Sequence, residues 1–71
     1  MEELKTGRYK HYKGNYYEVL GTVTHSETLE KMVLYKQLYG EGSIWVRPLA
    51  MFLENIQVEG RDVPRFEYAP V

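Results

Sequence analysis

The 71 residues carry a net charge of -1, with 44% apolar and 14% aromatic content, which makes one small globular domain with no room for a second. No cysteine is present, so neither a disulfide framework nor a thiolate metal site is available. A charge so near zero gives no strong field for nucleic acid or anionic lipid, and no apolar run approaches the ~20 residues that cross a bilayer.

A chain this short buries only about 60% of the surface that its unfolded form exposes. At about 0.05–0.15 kcal/mol per residue, its stability should be about 4–10 kcal/mol. Tyr and Trp help, because they bury large areas with few rotatable bonds.

Met1–Thr6 is polar and reads as a flexible tail without the apolar stretch of a signal peptide. A cytoplasmic protein is the expectation. Gly7 opens a segment with Arg8, Lys10 and Tyr12 on one side and Tyr9 and His11 on the other. Lys13-Gly14-Asn15 is a turn. Tyr16–His25 reads as a strand, with Tyr17, Val19, Gly21 and Val23 turned inward. Gly21 in mid-strand predicts a bulge or a sharp bend. Ser26–Glu30 is a polar loop.

Lys31–Tyr39 and Ser43–Arg47 form the central hairpin, around the break Gly40-Glu41-Gly42-Ser43. Pro48 lacks an N–H and suits the first position of a helical turn. Leu49, Phe52, Leu53 and Ile56 then line one stripe, which predicts a short helix over 48–54. Ile56–Val58 and Val63–Tyr68 read as a last hairpin turning at Glu59-Gly60, with Pro64 marking an edge. Ala69–Val71 is a tail. The expected core is Tyr17, Val19, Val23, Leu34, Val46, Phe52 and Ile56, and five or six short strands with one short helix suggest a small, mostly β barrel or roll.

Together GRYKHYKGNYYEVLG, HSET (25–28), LYG (38–40), WVRP (45–48), MF (51–52) and PRFEY (64–68) resemble a family of small bacterial proteins, domain-of-unknown-function family 1653. The resemblance runs from Gly7 to Tyr68. It implies an SH3-like antiparallel barrel or roll over 7–68 and no assigned activity.

Four constellations could carry chemistry. His25-Ser26-Glu27-Thr28 holds an imidazole, a hydroxyl and a carboxylate, but neighbours in an extended segment point apart, and no nucleophile elbow surrounds Ser26. The plainer reading is that Ser26 and Thr28 bond local backbone, so no catalytic residue is assigned. His11 and His25 fit no zinc spacing, so neither a metal nor another cofactor is expected. Arg8, Lys10, Tyr12 and Lys13 lie in a basic and aromatic stretch, which suits a single strand of nucleic acid. The plainer reading there is a solvated face.

The favoured constellation is Trp45 and Arg47. Alternation groups Ile44 with Val46 and Trp45 with Arg47, and the aliphatic pair is expected in the core. Trp45 and Arg47 would then share a second face with Tyr35 and Tyr39 of the paired strand, with His25 and Thr28 contributed by the nearby loop. Rings beside a guanidinium suit a peptide, a protein or a small anionic ligand. The plainer reading is a minor second core in which Arg47 pairs with Glu18 or Glu54. The function expected is a non-enzymatic binding module, with a nucleic-acid-binding barrel or a minor subunit completing an enzyme site as the alternatives.

Overall fold

The structure, a computed structural model, describes residues 4–71. Seven strands and one short helix follow in the order β1 (Gly7–His11), β2 (Tyr16–Thr24), β3 (Lys31–Gln37), β4 (Ile44–Pro48), α1 (Leu49–Phe52), β5 (Asn55–Val58), β6 (Arg61–Pro64) and β7 (Phe66–Tyr68). Five strands form one antiparallel sheet in the order β4-β3-β2-β1-β7, and β5 pairs with β6 in a second. The fold is thus the expected mostly β roll with a helical turn after Pro48. The large sheet does not close on itself, and β4 and β7 are its two edges.

The bulge expected at Gly21 is present. Val19 lies opposite Tyr35, but Gly21 lies opposite Leu34, so the register slips by one residue between them. Gly21 adopts φ +153°, a conformation that side chains disfavour. The slip reverses the parity of the strand, because side chains alternate with a period of two. Val19 therefore points into the core, while Val23, opposite Met32, points to the other face and is 39% exposed.

The same register corrects the polarity expected of the central hairpin. Trp45 lies opposite Tyr35 and Arg47 opposite Val33, and Val33 and Tyr35 are the buried residues of β3. Trp45 and Arg47 thus occupy the core-facing side, at its rim. Ile44 and Val46 look outward and are 58% and 51% exposed. Alternation assigns two groups to a strand and leaves open which group faces in. On an edge strand, the aliphatic pair lost.

The core consists of Tyr9, Val19, Val33, Tyr35, Phe52 and Phe66, with Leu4, Tyr17 and Leu49 packed against it. Of the expected core, Val19 and Phe52 are buried, whereas Tyr17, Leu34 and Ile56 are half-buried. Phe52 and Phe66 stack with centroids 4.2 Å apart, and Tyr9 meets Phe52 edge-on at 5.4 Å. The expected tail over 1–6 falls partly outside the described residues. Within them, Leu4 packs on the core, and the Lys5 carbonyl accepts a 2.8 Å bond from the Tyr9 hydroxyl.

The expected strand Val63–Tyr68 is divided at Arg65 instead. Up to Pro64 it pairs with β5, and from Phe66 it crosses to pair with β1. Arg65 makes the junction: its N–H donates to Glu54 O at 3.0 Å, its carbonyl accepts from Tyr12 N–H at 3.0 Å, and its guanidinium bonds Glu54 at 2.8 Å. Pro64 has no N–H with which to extend the β5 pairing. This crossing delivers Phe66 to the core.

The β5–β6 turn falls at Glu59-Gly60, as expected. Both residues have positive φ, +53° and +78°, the geometry of a two-residue type I′ turn that favours Asn-Gly. A Glu there is strained, so Glu59→Asn should stabilise the fold by up to about 1 kcal/mol. The measurement is a denaturant midpoint for the variant beside the parent, and an unchanged or lowered midpoint would contradict the turn assignment.

Candidate functional site

Arg47 is held at the rim by the β3–β4 pairing, with its guanidinium carbon 5.5 Å from the centroid of Phe66. Both carboxylates that could pin it are committed elsewhere. Glu54 pairs with Arg65, and Glu18 lies on the opposite side of the sheet between Arg8 and Lys36. Among the described residues, Arg47 has no carboxylate partner. Trp45, one row along, is 52% exposed beside the buried Tyr35. The register thus brings Tyr35, Trp45 and Arg47 together on one face.

Tyr39 stands by this face as expected, and two residues not expected there, Tyr17 and Phe66, complete its floor. Tyr17 contacts Tyr35 and Phe66 edge-on at 5.4 and 5.6 Å, and its hydroxyl bonds that of Tyr39 at 2.6 Å. Gln37 donates to the Tyr39 hydroxyl at 3.3 Å. Burial, followed by the Tyr39 hydrogen bond, pushes the Tyr17 phenol up to about 12, so it remains a neutral donor or acceptor. The available signal was alternation in β2, which already turned Tyr17 inward with Val19.

His11 meets the Phe66 ring edge-on at 4.9 Å. Its Nδ1 accepts the Lys13 N–H at 3.2 Å, which leaves the other nitrogen to carry the proton of the neutral form. Burial and then the positive charges of Arg47, Arg65 and Lys13 hold the imidazole below its usual value. Because the folded value is depressed, the unfolded chain takes up the proton first as pH falls. The stability contributed by His11 is therefore full above about pH 6.5 and is lost as pH drops through the folded value. His11→Gln should accordingly melt with less difference between about pH 7.5 and pH 5.5 than the parent. An equal or larger difference would show that His11 is not the group responsible.

An open cleft of about 260 Å³ lies beside His11, with Lys10 and Tyr12 on one wall and Val58, Val63 and Pro64 on the other. It separates β1 from the β5–β6 hairpin. Neither Trp45 nor Arg47 lines it.

The side-chain hydrogen bonds of His25 and Thr28 are local, and none among the described residues reaches this face. His25 Nδ1 accepts the N–H groups of Glu27 and Thr28 at 3.2 and 3.3 Å, and Thr28 Oγ1 accepts that of Glu30 at 3.2 Å. The side chains hold their own turn.

The basic segment is dispersed as well. Arg8 donates through Nε to the Ala69 carbonyl at 2.7 Å and lies 4.6 Å over the Tyr16 ring. Lys10 stands opposite Glu67, and Arg8 opposite Glu18. Lys13 sits 5.8 Å over Tyr12, which is exposed at the turn. Acid and base thus alternate across this side of the sheet, which cancels much of the field that a phosphate chain would meet.

Among the described residues, no three His, Asp or Glu side chains gather to hold a metal, and no helix is long and apolar enough to cross a membrane.

Comparison with known proteins gives the lineage. The sequence profile of the family described as "Protein of unknown function (DUF1653)" matches residues 7–68. The crystal structure of a protein of that family from Bordetella bronchiseptica superposes with a TM-score of 0.87, at 33% identity, over 94% of this chain and 88% of that one. No curated protein matches the sequence. A profile match over nearly the whole length, together with a shared fold at this identity, places the chain: it belongs to the DUF1653 family.

Proposed function

We propose that the domain is a non-enzymatic binding module whose ligand, a peptide or small molecule bearing a negatively charged group, lies across Trp45 and Arg47. The observation that carries this is the state of Arg47: a rim guanidinium seated on an aromatic ring, without a carboxylate partner among the described residues. A guanidinium offers a planar fork to a carboxylate or phosphate. Trp45 beside it supplies an apolar surface large enough to stack on the ligand. The hydroxyls of Tyr17 and Tyr39 stand on the same side of the sheet and could bond a polar group of the ligand.

Trp45 is the sole tryptophan, so its emission reports directly on this face. Titration with a panel of short acidic peptides and phosphopeptides should shift that emission saturably for at least one probe. Emission unresponsive to every probe up to millimolar concentration would count against the reading.

A further inference from the structure

The two edges of the large sheet differ in their defences. The β7 edge carries Glu67 and is flanked by Pro64 and Pro70, and charge and proline both deter strand addition. The β4 edge carries one charge, Arg47 near its end, and its first three residues, Ile44, Trp45 and Val46, are uncharged and all at least half exposed. An open edge of this kind is a template for another strand.

The ladder shows which groups are left free. Gln37 N–H donates to Ser43 O at 2.9 Å, so Gln37 and Ser43 are a hydrogen-bonded pair. Such pairs recur at every second residue. Trp45 and Arg47 therefore direct their backbone groups at Tyr35 and Val33, whereas Ile44, Val46 and Pro48 direct theirs outward. Two N–H donors are left at the edge, those of Ile44 and Val46, since Pro48 has none.

The geometry points to a second copy of this chain as the occupant, its β4 antiparallel to the first with the two-fold axis at Val46. In that register the two Val46 residues face each other, and Ile44 faces Pro48 of the second copy. Each Val46 N–H meets the Val46 carbonyl opposite, and each Ile44 N–H meets the Pro48 carbonyl, so all four outward donors are satisfied. On the core-facing side, Arg47 falls opposite Trp45 of the second copy, twice over. That places a guanidinium without a carboxylate partner among the described residues against a half-exposed indole, a favourable pairing. On the outer side, Ile44, Val46 and Pro48 meet only their like, beside Leu34 and Val23, which share that face. An axis one residue further, at Arg47, would oppose the two guanidinium groups directly.

This shares Trp45 and Arg47 with the ligand reading, but its test does not. Val46 lies on the other side of the sheet, so a change there breaks the pairing while each copy keeps its own Trp45 and Arg47, and the two readings fail separately.

The test is sedimentation equilibrium across the micromolar range on the parent and on Val46→Lys, with a circular dichroism melt for each. The parent should be a dimer at the upper concentrations. The Lys variant should be monomeric and equally folded, because residue 46 is half exposed and its N–H takes no part in the β3 pairing. The chain has no cysteine, so Val46→Cys gives an unambiguous second readout. Residues facing each other in a hydrogen-bonded pair stand about 5.5 Å apart at Cα, within disulfide reach. Oxidised Val46→Cys should run as a linked dimer, while Glu59→Cys, at the remote hairpin turn, should not. A parent monomeric throughout, a dimer that survives Val46→Lys, or a dimer that oxidation of Val46→Cys fails to link would each overturn the proposal.

Discussion

Phe52→Ala should leave the chain largely unfolded at room temperature. Phe52 is 1% exposed, stacked on Phe66 and edge-on to Tyr9. Truncating a buried Phe costs about 3–5 kcal/mol, from the lost transfer energy and the cavity left behind. The whole domain has about 4–10 kcal/mol in hand, so the loss takes most of it. Phe52 also belongs to the only helix among the described residues, a single turn after Pro48 with no side-chain hydrogen bond capping its start. Such a turn has little stability of its own and depends on tertiary packing. A circular dichroism melt checks this, and a variant melting within a few degrees of the parent would show that Phe52 is not central to the core.

Phe66→Ala should cost a similar amount, about 3–5 kcal/mol, with a second consequence that Phe52→Ala does not share. Phe66 is the first residue of β7, a strand of only three residues paired with β1 at Tyr9, Lys10 and His11. Its ring also underlies Arg47 and flanks His11. Removing it takes away the side chain that anchors β7 and the platform beneath the candidate site. The milder Phe66→Leu, which leaves enough stability to study, should lose amide-exchange protection in β7 before β2 and β3. Uniform loss across all strands would contradict that local role.

Much of the fold was legible in the residues. The Gly21 bulge, the Glu59-Gly60 turn, the helical turn after Pro48 and the central hairpin each follow from local chemistry: a residue with special backbone freedom, a missing N–H, or a break in an apolar run. What was not legible is which side of a strand faces in. Gly21 announces the bulge, but the parity reversal that the bulge forces on Val23 depends on the pairing with β3. At β4, alternation grouped the residues correctly and the preference for burying Ile and Val chose the wrong group. That choice depends on a strand being central or at an edge, a property of the whole sheet. The division of 63–68 at Arg65 has the same origin, since it is set by partners far away in sequence.

The candidate site was half legible for the same reason. Tyr35, Trp45 and Arg47 do share a face, because that follows from hairpin register alone. His25 and Thr28 were drawn to it by loop proximity, and their hydrogen bonds close their own turn instead. Of the floor, Tyr39 follows from the hairpin and Tyr17 from alternation in β2, whereas Phe66 arrives from β7, a strand whose partner no local pattern announces.

The central claim is that Arg47 serves a ligand rather than the fold, and Arg47→Ala tests it in one paired measurement of melting temperature and of Trp45 emission on titration. The guanidinium is half-buried over Phe66 without a carboxylate partner among the described residues, so its loss should cost no more than about 0.5–1 kcal/mol. Binding of whichever acidic probe shifts the parent should fall by at least about tenfold, because Arg and Trp carry much of the energy where they anchor an interface. A variant that melts near the parent and no longer responds to the probe is the predicted result. A variant that unfolds, or one that binds the probe as tightly as the parent does, would contradict the account.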